Sequence, residues 1–269
     1  MPSADFSGRI VVITGSSKGI GRESARAFAR AGAHVILNGR DETRLAALRE
    51  ELIDEGLSAD AYAGDVTVAE EAQGLIEYAA SVSGGIDVLV NNAGLSMRGS
   101  FEETSPEVIE SVTRVNVLGA ALPTRYALPY LRKSRGSVVF VSSLAGVRGF
   151  PGVAVYSSAK MALTALSQSL RAELTGSGVH VGLIWVSFTE NDPDKQIYSA
   201  AGEPMHVQRS WKTSQAEVAA ALLRLVARRK DELAMTLQGK LFVLLSRLCP
   251  RLVRVIVHRS GGSIHTYRT

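Results

Sequence analysis

Along the chain, short apolar runs alternate with longer stretches whose apolar positions recur every three or four residues. The runs Arg9–Thr14 (RIVVIT), Ala33–Leu37 (AHVIL), Ile86–Val90 (IDVLV), Ser137–Val141 (SVVFV) and Val179–Ile184 (VHVGLI) are rich in Val and Ile. Ala59–Ala63 is a weaker run and Glu232–Thr236 a late one. Nearly continuous apolarity is the signature of strands covered on both faces. Ile20–Ala31, Glu42–Glu55, Val68–Ser83, Pro106–Arg132 and Val155–Thr175 have helical spacing and length. Ser105 before Pro106 suits a capped start. Pro123 and Pro129 lack the N–H that a helix interior needs, so a kink or shortening is expected in that longest helix. Strand–helix alternation predicts a parallel sheet with helices on both faces, and right-handed crossovers make it a doubly wound α/β fold.

At 269 residues, with no repeat or Pro/Gly-rich linker, the chain reads as a single domain over residues 1–238. A substrate lid is expected at about 190–213 and a helical C-terminal extension over 239–269. The apolar share, 46%, is ordinary for a folded core and excludes wholesale disorder. Cys249 is the single cysteine, so there is no intramolecular disulfide and no cysteine cluster for zinc, and no metal is expected. With no charged-then-apolar signal region in MPSADFSGRIVVITG, the expected setting is cytoplasmic. The net charge of +4 is unevenly placed: Arg228–Thr269 has nine Lys or Arg against two Asp or Glu, or +7, which leaves −3 for the other 227 residues.

The first strand runs directly into Gly15-Ser16-Ser17-Lys18-Gly19-Ile20-Gly21 and then a helix. Glycines let a backbone pass close under a pyrophosphate, and a helix N-terminus offers N–H groups and partial positive charge. The spacing is GxxxGxG. Gly15, Ser17, Lys18, Gly19, Ile20 and Gly21 are therefore candidate cofactor contacts. After the second strand an acid would select NAD through the ribose hydroxyls. Here the strand ends Leu37-Asn38-Gly39-Arg40. Arg40, with Lys18 in the turn, suits a 2′-phosphate, which points to NADP(H) over NAD(H).

The motifs TGSSKGIG at Thr14–Gly21, NNAG at Asn91–Gly94, Asn116, the pair Ser142–Ser143 and YSSAK at Tyr156–Lys160 occur together in that order. In this the chain resembles the short-chain dehydrogenase/reductase family over about Gly8 to Ile184, and the resemblance implies a Rossmann-type nucleotide-binding sheet. Lys160 lies four residues beyond Tyr156, so the two share one helical face. Tyrosine ionises poorly near neutrality, and a nearby cation favours the phenolate. The resemblance makes Tyr156 the acid/base, Ser143 the hydrogen-bond partner of the substrate oxygen (Ser142 the alternative) and Asn116 the holder of a water that relays protons to Lys160. Asn91, Ala93 and Gly94 would line the cofactor, Asp65 and Val66 its adenine, and Tyr156 and Lys160 would touch it too.

After the sixth strand, where many members of that family carry Pro-Gly and then Thr, this chain has Trp185-Val186-Ser187-Phe188-Thr189-Glu190-Asn191. The best match puts Val186, Ser187 and Asn191 at the Pro, Gly and Thr positions, with Thr189 a candidate substitute; a register one residue later is also open and lacks Pro, Gly and Thr too. The C-terminal GKLFVLLSRLCPRLVRVIVHR, residues 239–259, is split by Pro250 and carries too many cations to span a bilayer. It looks like the C-terminal segments of lipid- and steroid-acting members. A membrane contact, a cover for the pocket, an oligomer contact and a helix pair packed on its own domain are all open for it.

These features imply an NADP(H)-dependent oxidoreductase interconverting a ketone or aldehyde and an alcohol, with an apolar lipid or steroid-like substrate as a refinement. The family suggests a homodimer or homotetramer. The alternatives are a non-catalytic NADP-binding regulator and a peripheral membrane protein. Nucleic acid is not expected, because the basic tail has no interleaved aromatics.

Overall fold

A computed structural model describes residues 5–190, 197–205 and 213–260. In chain order its first half comprises β1 (Ile10–Ile13), α1 (Gly19–Arg30), β2 (His34–Gly39), α2 (Glu42–Asp54), β3 (Ala59–Ala63), α3 (Ala69–Ser83), β4 (Val88–Asn91), β5 (Met97–Arg98) and α4 (Pro106–Thr113). A π turn (Arg114–Leu118) then leads into α5 (Gly119–Ser134) and β6 (Ser137–Ser143). A 3₁₀ turn (Leu144–Gly146), α6 (Ala154–Glu173), β7 (His180–Val186), β8 (Ile197–Ser199), β9 (Pro204–Met205), α7 (Gln215–Ala227), β10 (Glu232–Ala234), α8 (Leu237–Leu248) and α9 (Pro250–Ser260) complete it.

Seven strands pair in the order β10-β7-β6-β4-β1-β2-β3, and each neighbouring pair is parallel. Alternation within each strand sends side chains to two cores. Val11 and Ile13 of β1, Leu37 of β2 and Ile184 of β7 join Phe28 and Leu222 beneath α1 and α7. Val12, Ile36, Leu89, Phe140 and Trp185 face the opposite way, against Leu75 of α3 and Leu163 of α6. The doubly wound reading is therefore correct. The chain leaves β1 toward β2 on one side and returns to pair β4 on the other. That switch point opens a crevice at the C-terminal ends of β1 and β4, where such sheets bind ligands.

The helix expected over 106–132 runs unbroken to Ser134, but it is not α throughout. Ser105 caps it as expected, its Oγ accepting from the Val108 N–H at 3.3 Å. The α ladder gives way at the π turn Arg114–Leu118, while Pro123 and Pro129 both lie inside α5. Asn116 Nδ2 donates to the Val112 carbonyl (2.8 Å) and the Leu95 carbonyl (2.7 Å), so a side chain fastens the widened turn to the loop after β4. Such π insertions cluster at functional sites.

His180 on β7 is buried, with Nε2 2.9 Å from the Lys230 carbonyl and Nδ1 3.1 Å from Ser137 Oγ. A carbonyl only accepts, so Nε2 carries the proton and Nδ1 accepts from the serine. Burial pushes the His180 pKa down from its ordinary value. The unfolded chain then takes up a proton that the folded one refuses, so stability is full above that ordinary value and falls as pH drops below it. The unfolding midpoint should decline from about pH 7 to pH 5, and His180→Gln should flatten that slope; an unchanged slope contradicts the assignment.

The C-terminal helices pack on the same body. Thr236 Oγ1 caps α8, accepting from the Gly239 N–H at 3.0 Å. Val243 is buried, Phe242 stacks on Phe150 with centroids 5.6 Å apart, and the Arg247 guanidinium lies 5.7 Å from the Trp185 ring centre. In α9, Val253 and Val257 are buried.

Candidate active site

The turn after β1 is shaped by its glycines and held from β4. Gly15 (φ 63°) and Gly19 (φ 60°) adopt the left-handed backbone. A Cβ on Gly15 would lie 2.8 Å from Ala93 Cα, and one on Gly21 would run into the Gly15 carbonyl. Asn92 Nδ2 donates to the carbonyls of Thr14 and Gly15, both at 2.9 Å, and Thr14 Oγ1 accepts from the N–H groups of Asn92 (3.0 Å) and Ala93 (3.1 Å). Asn92 is thus a site residue that sequence reasoning passed over, although it stands in NNAG. Lys18, at the N-cap of α1, supplies no side-chain cap, and no acid occupies the first turn at Gly19, Ile20 and Gly21. Those backbone N–H groups and the positive end of the helix suit a pyrophosphate.

Ser17 lies against the end of β2, just before Arg40: a Cβ on Gly39 would lie 3.3 Å from Ser17 Oγ. Arg40 is 77% exposed, with its Nη1 3.8 Å from Asp65 Oδ2. Asp65 Oδ1 also accepts from the Thr67 N–H at 2.9 Å, and Val66 is buried. Beside Ser17 a concavity of about 290 Å³ is lined by Arg22, Arg26, Arg44, Leu48 and Glu51. Arg26 is held by Glu51 through two bonds of 2.7 Å. Arg22 and Arg44 are cations near the adenosine end that the sequence pattern did not single out, because only the approach of α1 to α2 brings them beside Ser17.

The other end of the crevice brings Asn116, Tyr156 and Lys160 together, and Ser143 stands at the end of β6. Lys160 is buried on α6, its Nζ donating to the Val141 carbonyl at 3.0 Å and lying 5.7 Å from the centre of the Tyr156 ring. Tyr156 is half-buried against Met97, Val108, Val112 and Val155. Asn116 is fully buried, and its Oδ1 has no hydrogen-bond partner among the described residues. A Cβ on Gly94 would lie 3.0 Å from Asn116 Oδ1 and 3.4 Å from Lys160 Nζ, so the two polar atoms converge over that glycine. The two serines part company. Ser142 is buried and donates to the Lys160 carbonyl (3.2 Å), whereas half-buried Ser143 ends β6, its Oγ accepting from the Ala145 N–H at 3.3 Å. Asn91 turns away from the crevice: its Nδ2 donates to Thr124 Oγ1 on α5 at 2.8 Å.

Residues 9–201 match the family model for short chain dehydrogenases. The chain belongs to the short-chain dehydrogenase family. Its curated relatives include the 11-beta-hydroxysteroid dehydrogenase-like protein 4A of Arabidopsis thaliana, 32% identical over 260 residues that cover 93% of this chain and 84% of that one. The L-fucose dehydrogenase of Mus musculus is 38% identical over 191 residues, 69% of this chain and 68% of that one. Among solved structures, a short-chain dehydrogenase/reductase from Burkholderia phymatum in complex with NAD superposes with a TM-score of 0.81 at 25% identity, covering 92% of this chain and 96% of its own. A gluconate 5-dehydrogenase from Burkholderia cenocepacia in complex with NADP and tartrate gives 0.75 at 25% identity, covering 86% and 95%.

After β7 the chain of this short-chain dehydrogenase runs Val186-Ser187-Phe188-Thr189-Glu190. Val186 closes the strand, and Ser187 Oγ pairs with Thr236 Oγ1 at 3.1 Å, tying the segment to the start of α8. Buried Thr189 donates to the Ser187 carbonyl at 3.1 Å, and its backbone forms a bridge with Thr213. These contacts hold in place a segment that has neither proline nor glycine. Asn191 and most of the expected lid, residues 191–196 and 206–212, lie outside the described residues.

Proposed function

We propose that this protein is an NADP(H)-dependent oxidoreductase that interconverts a ketone or aldehyde and the corresponding alcohol, with Tyr156 as acid/base. The observation that carries the reading is the convergence of Asn116 Oδ1 and Lys160 Nζ over Gly94, one helical turn from Tyr156. The residues present fit the cofactor: an α1 N-terminus whose N-cap residue supplies no side-chain cap and whose first turn holds no acid, for its pyrophosphate, Arg40 and Lys18 for a 2′-phosphate, and Asp65 and Val66 at the adenine. When bound, the nicotinamide supplies or accepts the hydride.

The chain's own residues handle the proton. In the reducing direction, the Tyr156 hydroxyl donates its proton to the substrate oxygen as that oxygen gains negative charge, and in the oxidising direction the phenolate takes the proton back. The Lys160 ammonium beside the ring favours the phenolate. Ser143 Oγ donates a hydrogen bond to the substrate oxygen and orients it. Asn116 Oδ1, an acceptor without a partner among the described residues, holds a water through which Lys160 exchanges protons with solvent. Phe150 and Phe242 beside this end of the fold, with exposed Phe188 after Ser187, favour an apolar substrate. A homodimer or homotetramer belongs to the same reading, and exposed Leu118 and Met161 are apolar side chains that such a contact would cover.

The direct test is a panel of ketones and secondary alcohols, from sugars to steroids, followed at the nicotinamide absorbance with each cofactor. Turnover with NADPH or NADP on apolar members is the expected result. NADPH binding with no turnover across the panel supports the non-catalytic regulator instead.

A further inference from the structure

We propose that α8 and α9 form a docking face for an anionic membrane surface, in which exposed leucines enter the lipid interface and a neighbouring four-cation hollow receives lipid phosphates. This goes beyond the oxidoreductase reading and does not depend on it.

In α8 the residues turned toward the protein are Gly239, Phe242 and Val243. Leu237, Leu241, Leu244 and Leu248 follow one another at spacings of four, three and four, which places them on one face of a helix, opposite the packed side. All four are exposed, Leu237 by 82% and Leu248 by 70%. A helix lying on a soluble body normally turns polar side chains outward, and a contiguous exposed apolar patch marks an interaction surface. After Pro250 the pattern continues in α9. Val253 and Val257 face inward, while Leu252, Val255 and Ile256 are exposed along one flank and Arg251, Arg254 and His258 along another.

Charge selects the occupant. Residues 237–260 contain five Lys or Arg and no Asp or Glu. Of the preceding carboxylates, Asp231 pairs with Arg171, while Glu232 pairs with Arg171 and with Arg247 of α8 itself, so the face's charge rests on Lys240, Arg251 and Arg254. Next to α8 lies a hollow of about 160 Å³ lined by Arg224, Arg228, Lys230 and Lys240, with Ala221, Leu233 and Met235 as its apolar wall. Lys240 directly precedes Leu241, so the hollow adjoins the leucine stripe. A second copy of this chain fits the face poorly. A two-fold contact sets a patch against itself, here Lys240, Arg251 and Arg254 against their own copies, with no acid in residues 237–260 to pair them. No described helix is long and apolar enough to cross a membrane. An apolar stripe flanked by cations is the composition of a helix lying in the plane of an anionic lipid interface. The face is mounted at the edge of the active site, since Thr236, which caps α8, is bonded to Ser187 and Phe242 stacks on Phe150.

The experiment is co-sedimentation of the full chain with vesicles of phosphatidylcholine alone and of phosphatidylcholine mixed with phosphatidylserine, at low and high salt. The expected result is binding to the mixed vesicles that weakens as salt screens the charges. Arg224→Gln/Arg228→Gln/Lys240→Gln should lower the partition constant about a hundredfold, at roughly fivefold per cation. Leu241→Gln/Leu244→Gln/Leu248→Gln should lower it by a similar factor or more while leaving the circular dichroism and solution turnover unchanged, because these side chains are exposed. Absence of wild-type binding to the mixed vesicles at low salt overturns the proposal. So does undiminished binding by the leucine variant, or a wild-type oligomer that this variant dissolves while vesicle binding is absent.

Discussion

Tyr156→Phe is expected to lower kcat by roughly 10²–10⁴-fold, the usual contribution of a positioned acid/base group, while cofactor still binds. The substitution removes one hydroxyl and keeps the ring. That ring packs against Met97, Val108, Val112 and Val155 and lies 5.7 Å from Lys160 Nζ, so the local packing survives. What is lost is the proton that the substrate oxygen needs. Ser143 can still hydrogen-bond the developing alkoxide, but no positioned acid remains to protonate it, so the proton has to come from solvent. The measurement pairs steady-state turnover on the best substrate of the panel with a dissociation constant for NADPH from nucleotide fluorescence. Turnover near the wild-type value sinks the mechanism. Loss of NADPH affinity as well would make the variant's inactivity uninformative, and Ser143→Ala, which keeps Tyr156, then tests the same oxygen-binding geometry.

Most of the sheet could be read in advance because its strands are buried on both faces and so have no polar alternation to confuse them. The run beginning at Ser137 extends to Ser143, placing that serine at the strand's end, where the crevice begins. The pattern does not announce β5, β8 and β9, which are two or three residues long and have no period to detect. The helix α7 did carry a readable signal, the reciprocal capping box of Ser214 and Glu217. The π turn was not legible, because it depends on Asn116 reaching the Leu95 carbonyl, a contact set by tertiary packing. Proline was the sequence's nearest suspect there, and both prolines turned out to be tolerated inside α5. The C-terminal helices teach the converse lesson. Their break at Pro250 is visible in the sequence, but α8 has apolar residues all round, so only packing reveals that Val243 faces in and the leucine stripe faces out.

Cofactor choice is where the site's residues must decide, since the structural neighbours named above hold NAD in one case and NADP in the other. The wild type should bind NADPH roughly tenfold to a hundredfold more tightly than NADH. Arg40 stands where an acid would otherwise accept from the ribose hydroxyls, and Lys18 stands in the glycine turn. Each offers a charge-assisted contact worth about 1–2 kcal/mol at a partly exposed position, and ~1.4 kcal/mol is a factor of ten. The lower part of that range applies to Arg40, which is 77% exposed and already shares its charge with Asp65 at 3.8 Å. NADH forfeits both contacts yet keeps the pyrophosphate and ribose interactions, so a preference is expected and not an absolute requirement. Lys18→Ala/Arg40→Ala should therefore weaken NADPH by most of that factor and leave NADH almost unchanged, as read by titration calorimetry or nucleotide fluorescence. Arg44→Ala serves as the spatial control. If NADPH affinity survives the double variant but falls in Arg44→Ala, the phosphate belongs in the hollow beside Ser17, where Arg22 and Arg44 lie. Equal affinity of the wild type for both cofactors removes the NADP assignment altogether, and it does so without touching the fold, because the glycine turn and the N-terminus of α1 recognise the pyrophosphate that the two cofactors share.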